Sequence, residues 1–145
     1  MAPARADSSR RPRGKVLIVD DQEGMRDLLK TILEADYHVA EADSGAALHQ
    51  ALEQEQPDVV LLDMKLPDAN GFALLPAIKH RWPETEVILM SGAPSDGEGV
   101  SWAAEAARSG AFGFLSKSAE FDCQKLLVGV SSALERRYEI QAANP

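Results

Sequence analysis

Short runs of continuously apolar residues alternate along this chain with longer segments in which apolar positions recur every three or four residues. A run that is apolar throughout reads as a strand covered on both faces, and an i, i+3, i+4 spacing reads as one buried stripe of a helix. Residues 15–20 (KVLIVD) are the first such run. From Glu23 to about Ala35, Met25, Leu28, Leu29, Ile32 and Leu33 fall at helical spacing. Residues 37–41 form a second strand, and Asp43 or Ser44 caps a helix with Leu48, Ala51 and Leu52 on one face. Residues 58–63 (DVVLLD) are a third strand. Asn70-Gly71 opens a third helix with Phe72, Leu75 and Ile78 inward. Pro76 sits inside it at a cost of about 3 kcal/mol, which predicts a late start or a kink.

Residues 86–90 are a fourth strand, followed by a Gly- and Pro-rich loop at 91–99 and an Ala-rich helix at 100–109, with Gly110 at its C′ position. Residues 112–116 are a fifth strand. Ser118 is expected to cap a last helix whose apolar stripe is Cys123, Leu127, Val130 and Leu134, with Cys123 a small buried hydrophobe. Five strand–helix units of this kind predict an α/β fold, a doubly wound parallel sheet of five strands in the order 2-1-3-4-5 with five helices.

Composition narrows the function. The 145 residues carry 23 acids against 15 bases, a net charge of -8. Residues 1–14, rich in Pro, Ser and Arg, read as a disordered basic tail, so the remainder is more acidic still. Residues 15–137 form one domain, and 138–145 a C-terminal tail or the start of a linker. A domain this acidic is a poor direct binder of nucleic acid, whose affinity rests on phosphate neutralisation. One cysteine excludes a disulfide framework and any multi-thiolate metal site. The apolar runs are too short to span a bilayer and none follows the basic N-terminus as a secretory signal would require. The expectation is a soluble cytoplasmic protein without membrane contact. His38, His49 and His80 are scattered, with no ligand spacing.

Open parallel sheets bind at the carboxyl ends of their strands. There stand Asp20 and Asp21, Asp63, Ser91 and Lys117, on strands that the 2-1-3-4-5 order makes neighbours. Three clustered carboxylates repel one another unless a cation joins them, and their hard oxygens suit Mg²⁺. Lys117 offers an opposing charge to an anion and Ser91 a hydroxyl donor. A carboxylate can itself be a nucleophile, giving an aspartyl phosphate, and phosphoryl transfer needs chiefly positioning and charge neutralisation. An Asp-nucleophile phosphatase would want an acid at the position of Lys65, and a flavin phosphate would be repelled by the loop Asp20-Asp21-Gln22-Glu23.

The pair Asp20-Asp21, the stretch LDMKLPDANG at 62–71, the pair Ser91-Gly92 and FLSK at 114–117 resemble the receiver domain of bacterial two-component response regulators, over roughly residues 15–137. The resemblance implies a flavodoxin- or CheY-like fold and a set of roles. Asp63 would accept a phosphoryl group from the phosphohistidine of a sensor histidine kinase or a histidine phosphotransfer protein. Asp21, Asp63 and the backbone carbonyl of Lys65 would ligate Mg²⁺, and Asp20 would hold a metal-bound water. Lys117 would pair with the carboxylate and then with the phosphoryl oxygens. Ser91 would move in to the phosphoryl group and Phe114 would swing into the vacated space, coupling the site to the face of helix 4, strand 5 and helix 5. That face would control a downstream output domain or protein, and homodimerisation through it is an expectation from fold analogy. The run from Leu62 to Gly92 is similar to receivers of enhancer-binding transcriptional activators, which points to transcription regulation.

Three positions depart from the family pattern. Ser118 stands where receivers usually carry proline, often after a cis bond, so the Lys117 loop is expected to differ in shape. Ser91 and Lys117 are about four residues further apart than the family leads one to expect, which places extra chain in the loop at 93–99. Phe114 lacks a hydroxyl, so any switching there is by ring position alone. These departures sustain one competing reading, a degenerate receiver that acts as a phosphorylation-independent interaction module.

Overall fold

The computed structural model describes residues 14–92, 102–118 and 121–143. Its elements are β1 (Lys15–Val19), α1 (Glu23–Leu33), β2 (His38–Ala42), α2 (Gly45–Glu55), β3 (Val59–Asp63), α3 (Gly71–Arg81), β4 (Glu86–Ser91), α4 (Trp102–Arg108), β5 (Gly113–Ser116) and α5 (Cys123–Ala143). The five strands form one parallel sheet in the order β2-β1-β3-β4-β5. Ile18 of β1 lies beside Glu41 of β2 and Leu61 of β3, and Asp63 lies beside Met90 of β4.

The continuous apolar runs are explained by two cores. Successive side chains of a strand point to opposite faces. Val16 and Ile18 therefore enter a core with Leu29 and Leu33 of α1 and Leu126 and Val130 of α5. Leu17 and Val19 enter the other, with Leu48 and Leu52 of α2, Leu75 and Ile78 of α3 and Ala106 of α4. Every residue of β3 and β4 is buried. Full burial of a side chain such as Leu17 or Ile18 contributes about 1.5–3 kcal/mol. The edge strand β2, HVAEA, is only partly covered and accordingly carries the exposed polar residues His38 and Glu41. At the amino end of the sheet, Asp58 accepts from the Lys15 backbone N–H (2.9 Å) and from Arg137 Nε (2.5 Å), tying α5 to the starts of β1 and β3.

Several sequence expectations are corrected. α3 does not start late: it begins at Gly71, capped by Asn70, whose Oδ1 accepts the Phe72 N–H at 2.8 Å, and Pro76 sits inside it on the exposed side. Ser118 does not cap α5. Asp122 does, its Oδ1 accepting the Gln124 N–H at 2.8 Å, while Ser118 Oγ pairs with Ser116 Oγ at 2.7 Å. The inward stripe of α5 is Leu126, Val130, Ala133 and Leu134, and Cys123 is exposed. Leu127 is half-buried against the same core, and Cys123, though on the stripe by spacing, is the first residue of the helix, where it stays exposed. Ser44, not Asp43, caps α2, accepting the Ala47 N–H at 3.1 Å. Gly110 does adopt positive φ (101°), in a turn where the Ala111 N–H reaches the Ala106 carbonyl at 2.9 Å. Among the described residues there is no cis peptide bond, the Lys117–Ser118 link included, and no helix is long and apolar enough to cross a membrane. The loop expected at 93–99 and the start of the helix expected at 100 lie outside the described residues.

Candidate functional site

Each residue of the site is delivered by the carboxyl end of a strand. Asp20 follows β1 and is wholly buried. Its N–H donates to the Ala42 carbonyl at 3.0 Å and its Oδ1 accepts the Gln22 N–H at 2.9 Å. Asp21 is exposed at the rim. Asp63 closes β3, buried, with Oδ1 accepting the Lys65 N–H at 3.1 Å. Ser91 closes β4, also buried, and its carbonyl accepts the Lys117 N–H at 2.8 Å. That bond sets the backbone of Lys117 beside β4, and its side chain crosses to the acids. Nζ stands 2.7 Å from Asp20 Oδ2 and 2.8 Å from Asp63 Oδ2.

The loop that follows Asp63 is held by its own backbone. The Leu66 N–H donates to the Ala69 carbonyl at 3.0 Å and the Gly71 N–H to the Met64 carbonyl at 2.8 Å, with Lys65 bridged to Asn70. The returning chain passes so close to the strand end that a Cβ on Gly71 would lie 2.2 Å from the Asp63 carbonyl oxygen. Only glycine fits there. Asp68 then anchors the loop's far side, its carboxylate accepting the N–H groups of Gly45 (2.7 Å) and Ala46 (3.1 Å) at the start of α2. Those bonds hold its carboxyl below the usual aspartate range. No local spacing in the sequence marks this role of Asp68, because its partners lie 22 and 23 residues away.

The cleft measures 740 Å³ and its lining includes Asp21, Asp63, Lys65, Asn70, Ser91 and Lys117. The structure thus brings Asp20, Asp21, Asp63, Ser91 and Lys117 to one place. The Lys65 side chain is exposed. Phe114 stands apart from the acids, half-buried in β5 beside Leu89 and packed on the core beneath α2, α3 and α4.

Burial pushes the Asp63 carboxyl up from its usual range. The Lys117 ammonium and the Lys65 N–H pull it back, and the Asp20 charge adds to the rise, which prevails. Burial pulls Lys117 down, but its bonds to Asp20 and Asp63 outweigh that and hold it above an ordinary lysine, so it is a cation at neutral pH. One oxygen from each of Asp20, Asp21 and Asp63 lies within 4.8 Å of the others. Among the described residues one ammonium stands against three carboxylates, which leaves two negative charges, and the buried Asp20 Oδ2 has that ammonium as its ion partner at 2.7 Å but no hydrogen bond of good alignment. An all-oxygen, anionic set of this size fits a hard divalent cation such as Mg²⁺.

The response regulator receiver domain family matches residues 16–128. This chain belongs to that family. It is 36% identical over 130 residues to the DNA-binding transcriptional regulator NtrC of Escherichia coli K12, covering 89% of this chain and 26% of the relative. The chain therefore spans about a quarter of the length of the curated relatives it matches. Among solved structures, the signal receiver domain of an HD domain-containing protein from Pseudomonas fluorescens Pf-5 superposes with a TM-score of 0.79 at 29% identity, covering 92% of this chain and 95% of that one. The beryllofluoride-activated NtrC4 receiver domain dimer gives 0.74 at 30% identity, over 85% and 98%. A receiver domain is a signalling unit rather than a metabolic enzyme, acting between kinases and output domains, and its control is phosphorylation.

Proposed function

We propose that Asp63 of this receiver domain accepts a phosphoryl group from the phosphohistidine of a sensor histidine kinase or a histidine phosphotransfer protein. A carboxylate oxygen attacks phosphorus, the P–N bond breaks, and the imidazole leaves with the electron pair and takes up a proton. The product is an acyl phosphate on Asp63. The observation that carries this reading is the single ammonium of Lys117 shared between Asp20 and Asp63, at 2.7 and 2.8 Å, within a cluster of three carboxylates. Asp20, Asp21, Asp63 and the Lys65 carbonyl would hold Mg²⁺. When bound, it supplies neutralisation of the phosphoryl oxygens.

The chain's own residues do the rest. The Lys65 N–H and Lys117 orient the Asp63 carboxylate, and burial raises its basicity. After transfer Lys117 turns from carboxylate to phosphoryl oxygen, and the Ser91 hydroxyl supplies a further donor. Phosphorylation adds almost two charges and strong acceptors, so new charge-assisted bonds exist only in that state and bias a two-state element. Ser91 and Phe114 sit on adjacent strands, β4 and β5, which supports Phe114 as the group that relays the change to the α4–β5–α5 face. The domain catalyses only its own phosphotransfer and hydrolysis. It works in the cytoplasm, upstream of a transcriptional output, and pairs with a second copy through the α4–β5–α5 face. The relatives' description as transcriptional regulators and the NtrC4 receiver's dimer support those last two points. Residues 15–137 are the receiver, 1–14 a basic tail, and the run of α5 to Ala143 supports a linker beginning at 138.

The test is intact mass after incubation with acetyl phosphate, with and without Mg²⁺, for the native chain and Asp63→Asn. One phosphoryl adduct that needs Mg²⁺ and is lost in the variant is expected. An adduct that persists in Asp63→Asn overturns the assignment. No adduct from acetyl phosphate or a partner kinase would favour the interaction-module reading.

A further inference from the structure

We infer that Arg26 is a positioning residue for the metal-binding acids, acting through the backbone of Asp20. The inference rests on the reading of Asp20, Asp21 and Asp63 as a cation site. Arg26 lies in the first turns of α1 with its side chain only 16% exposed. Its Nη1 donates to the Asp20 carbonyl at 2.7 Å, while its Nε donates to Glu41 Oε1 of β2 at 3.1 Å. The guanidinium therefore spans the joint between β1 and α1 and fastens it to the neighbouring strand.

The remaining bonds at this joint converge on the same residue. The Asp20 N–H is held by the Ala42 carbonyl, at the end of the strand that carries Glu41, and Asp20 Oδ1 by the Gln22 N–H. The Gln22 carbonyl in turn accepts the Arg26 backbone N–H at 3.1 Å, which starts α1. Asp20 is thus pinned at N–H, side chain and carbonyl, and the last pin is Arg26. Asp21, exposed at the rim, has its direction set by the peptide that Arg26 holds.

Two effects of Arg26 oppose each other. Its charge repels a divalent cation, and its hydrogen bond fixes two of the acids. Glu41 decides between them. Paired with Arg26 at 3.1 Å, it cancels most of the long-range field, and Lys30 on its other oxygen at 3.6 Å shares that carboxylate rather than the site. What remains of Arg26 at the site is geometry. Lysine cannot replace it, since a point ammonium lacks the planar fork that reaches both acceptors.

The experiment is a calorimetric Mg²⁺ titration of the unphosphorylated chain, native and with Arg26→Gln, Arg26→Lys and Lys30→Gln, with thermal melts in EDTA to establish folding. Loss of one well-placed hydrogen bond predicts Kd for Mg²⁺ raised about threefold to tenfold in both Arg26 variants. Lys30→Gln should stay within about twofold of the native value, since an exposed, screened charge counts for little. Acetyl phosphate labelling at saturating Mg²⁺ should return to near the native rate, a split that general loosening of the fold would not give. Arg26→Gln binding Mg²⁺ as tightly as or more tightly than the native chain would overturn the inference, leaving the acid site intact as a proposal. Arg26→Lys at native affinity would overturn the need for the fork. Absence of Mg²⁺ binding by the native chain would overturn the cation site itself. Should Arg26→Gln fail to fold, Arg26→Lys carries the comparison.

Discussion

Replacing Lys117 by methionine keeps the stem and removes the one cation between Asp20 and Asp63. Both acids are buried, at 0% and 3% exposure, with the ammonium 2.7 and 2.8 Å from their oxygens. Removing one partner of a buried ion pair costs about 3–5 kcal/mol, because the orphaned charge stays in a poorly solvating place. The acids have an escape, which is to take up a proton. Asp63, already raised by burial, is the one to do so. At pH 7, about three pH units above an ordinary aspartate pKa, neutralising one carboxyl costs about 4 kcal/mol, and this caps the loss. The sign follows. A carboxyl whose folded pKa is raised binds protons more readily folded than unfolded, so its stability deficit is absent at low pH and grows as pH rises from the unfolded pKa to the folded one. Urea unfolding in EDTA, followed by far-UV circular dichroism, should show Lys117→Met nearly as stable as the native chain near pH 4. At pH 7 it should be weaker by about 3–4 kcal/mol. A loss equal at both pH values, or none at pH 7, would refute the electrostatic reasoning.

Gly71→Ala places a Cβ 2.2 Å from a backbone oxygen of Asp63, where no flexible side chain can yield. It should cost about 3 kcal/mol in urea unfolding, the upper part of the overpacking range, and a loss below about 0.5 kcal/mol would contradict the close approach. Cys123→Ser should change stability by no more than about 0.5 kcal/mol, since the thiol is exposed at the start of α5. The native thiol should react with Ellman's reagent nearly as fast as in urea, and strong protection would restore the buried placement.

The strands and the site were legible in the sequence for one physical reason. A parallel strand covered on both faces must be apolar at every position, so VLIV, VVLL and VILM declare themselves, and each stops at the first polar residue, which is where the chemistry sits. Asp20, Asp63, Ser91 and Lys117 were readable because strand ends are. Helix faces were less so. In α5 the apolar residues Leu126, Leu127 and Val128 are consecutive, so periodicity alone does not say which one faces the sheet, and Cys123 lies on the apolar stripe by spacing yet stands exposed because it is the first residue of the helix. The cap of α5 is the same kind of case: serine and aspartate are both good caps, and the Gln124 N–H at 2.8 Å from Asp122 Oδ1 places it at Asp122 rather than at the expected Ser118. Arg26 and Asp68 were not legible because their roles rest on partners in other elements, the Asp20 carbonyl and Glu41 for one and the N–H groups of α2 for the other. Nothing in local spacing marks such a contact.

Charge balance separates the two ends of the sheet. At the amino end the acids have matched partners. Asp58 and Glu84 share Arg137, Glu86 lies between Lys79 and Arg136, and Glu55 takes Lys15. That end is a structural clasp, each charge close to an opposite one. At the carboxyl end three carboxylates converge and one ammonium answers them. Burying unmatched charge is expensive, and a fold that neutralises its acids at one end has the means to do so at the other. The deficit is thus concentrated where strands end and a cleft opens. On the proposed function a divalent cation would restore the balance before transfer, and an arriving phosphoryl group, itself anionic, would draw on both that cation and Lys117. On that reading the charge imbalance itself would favour an incoming cation–phosphoryl pair over either partner alone.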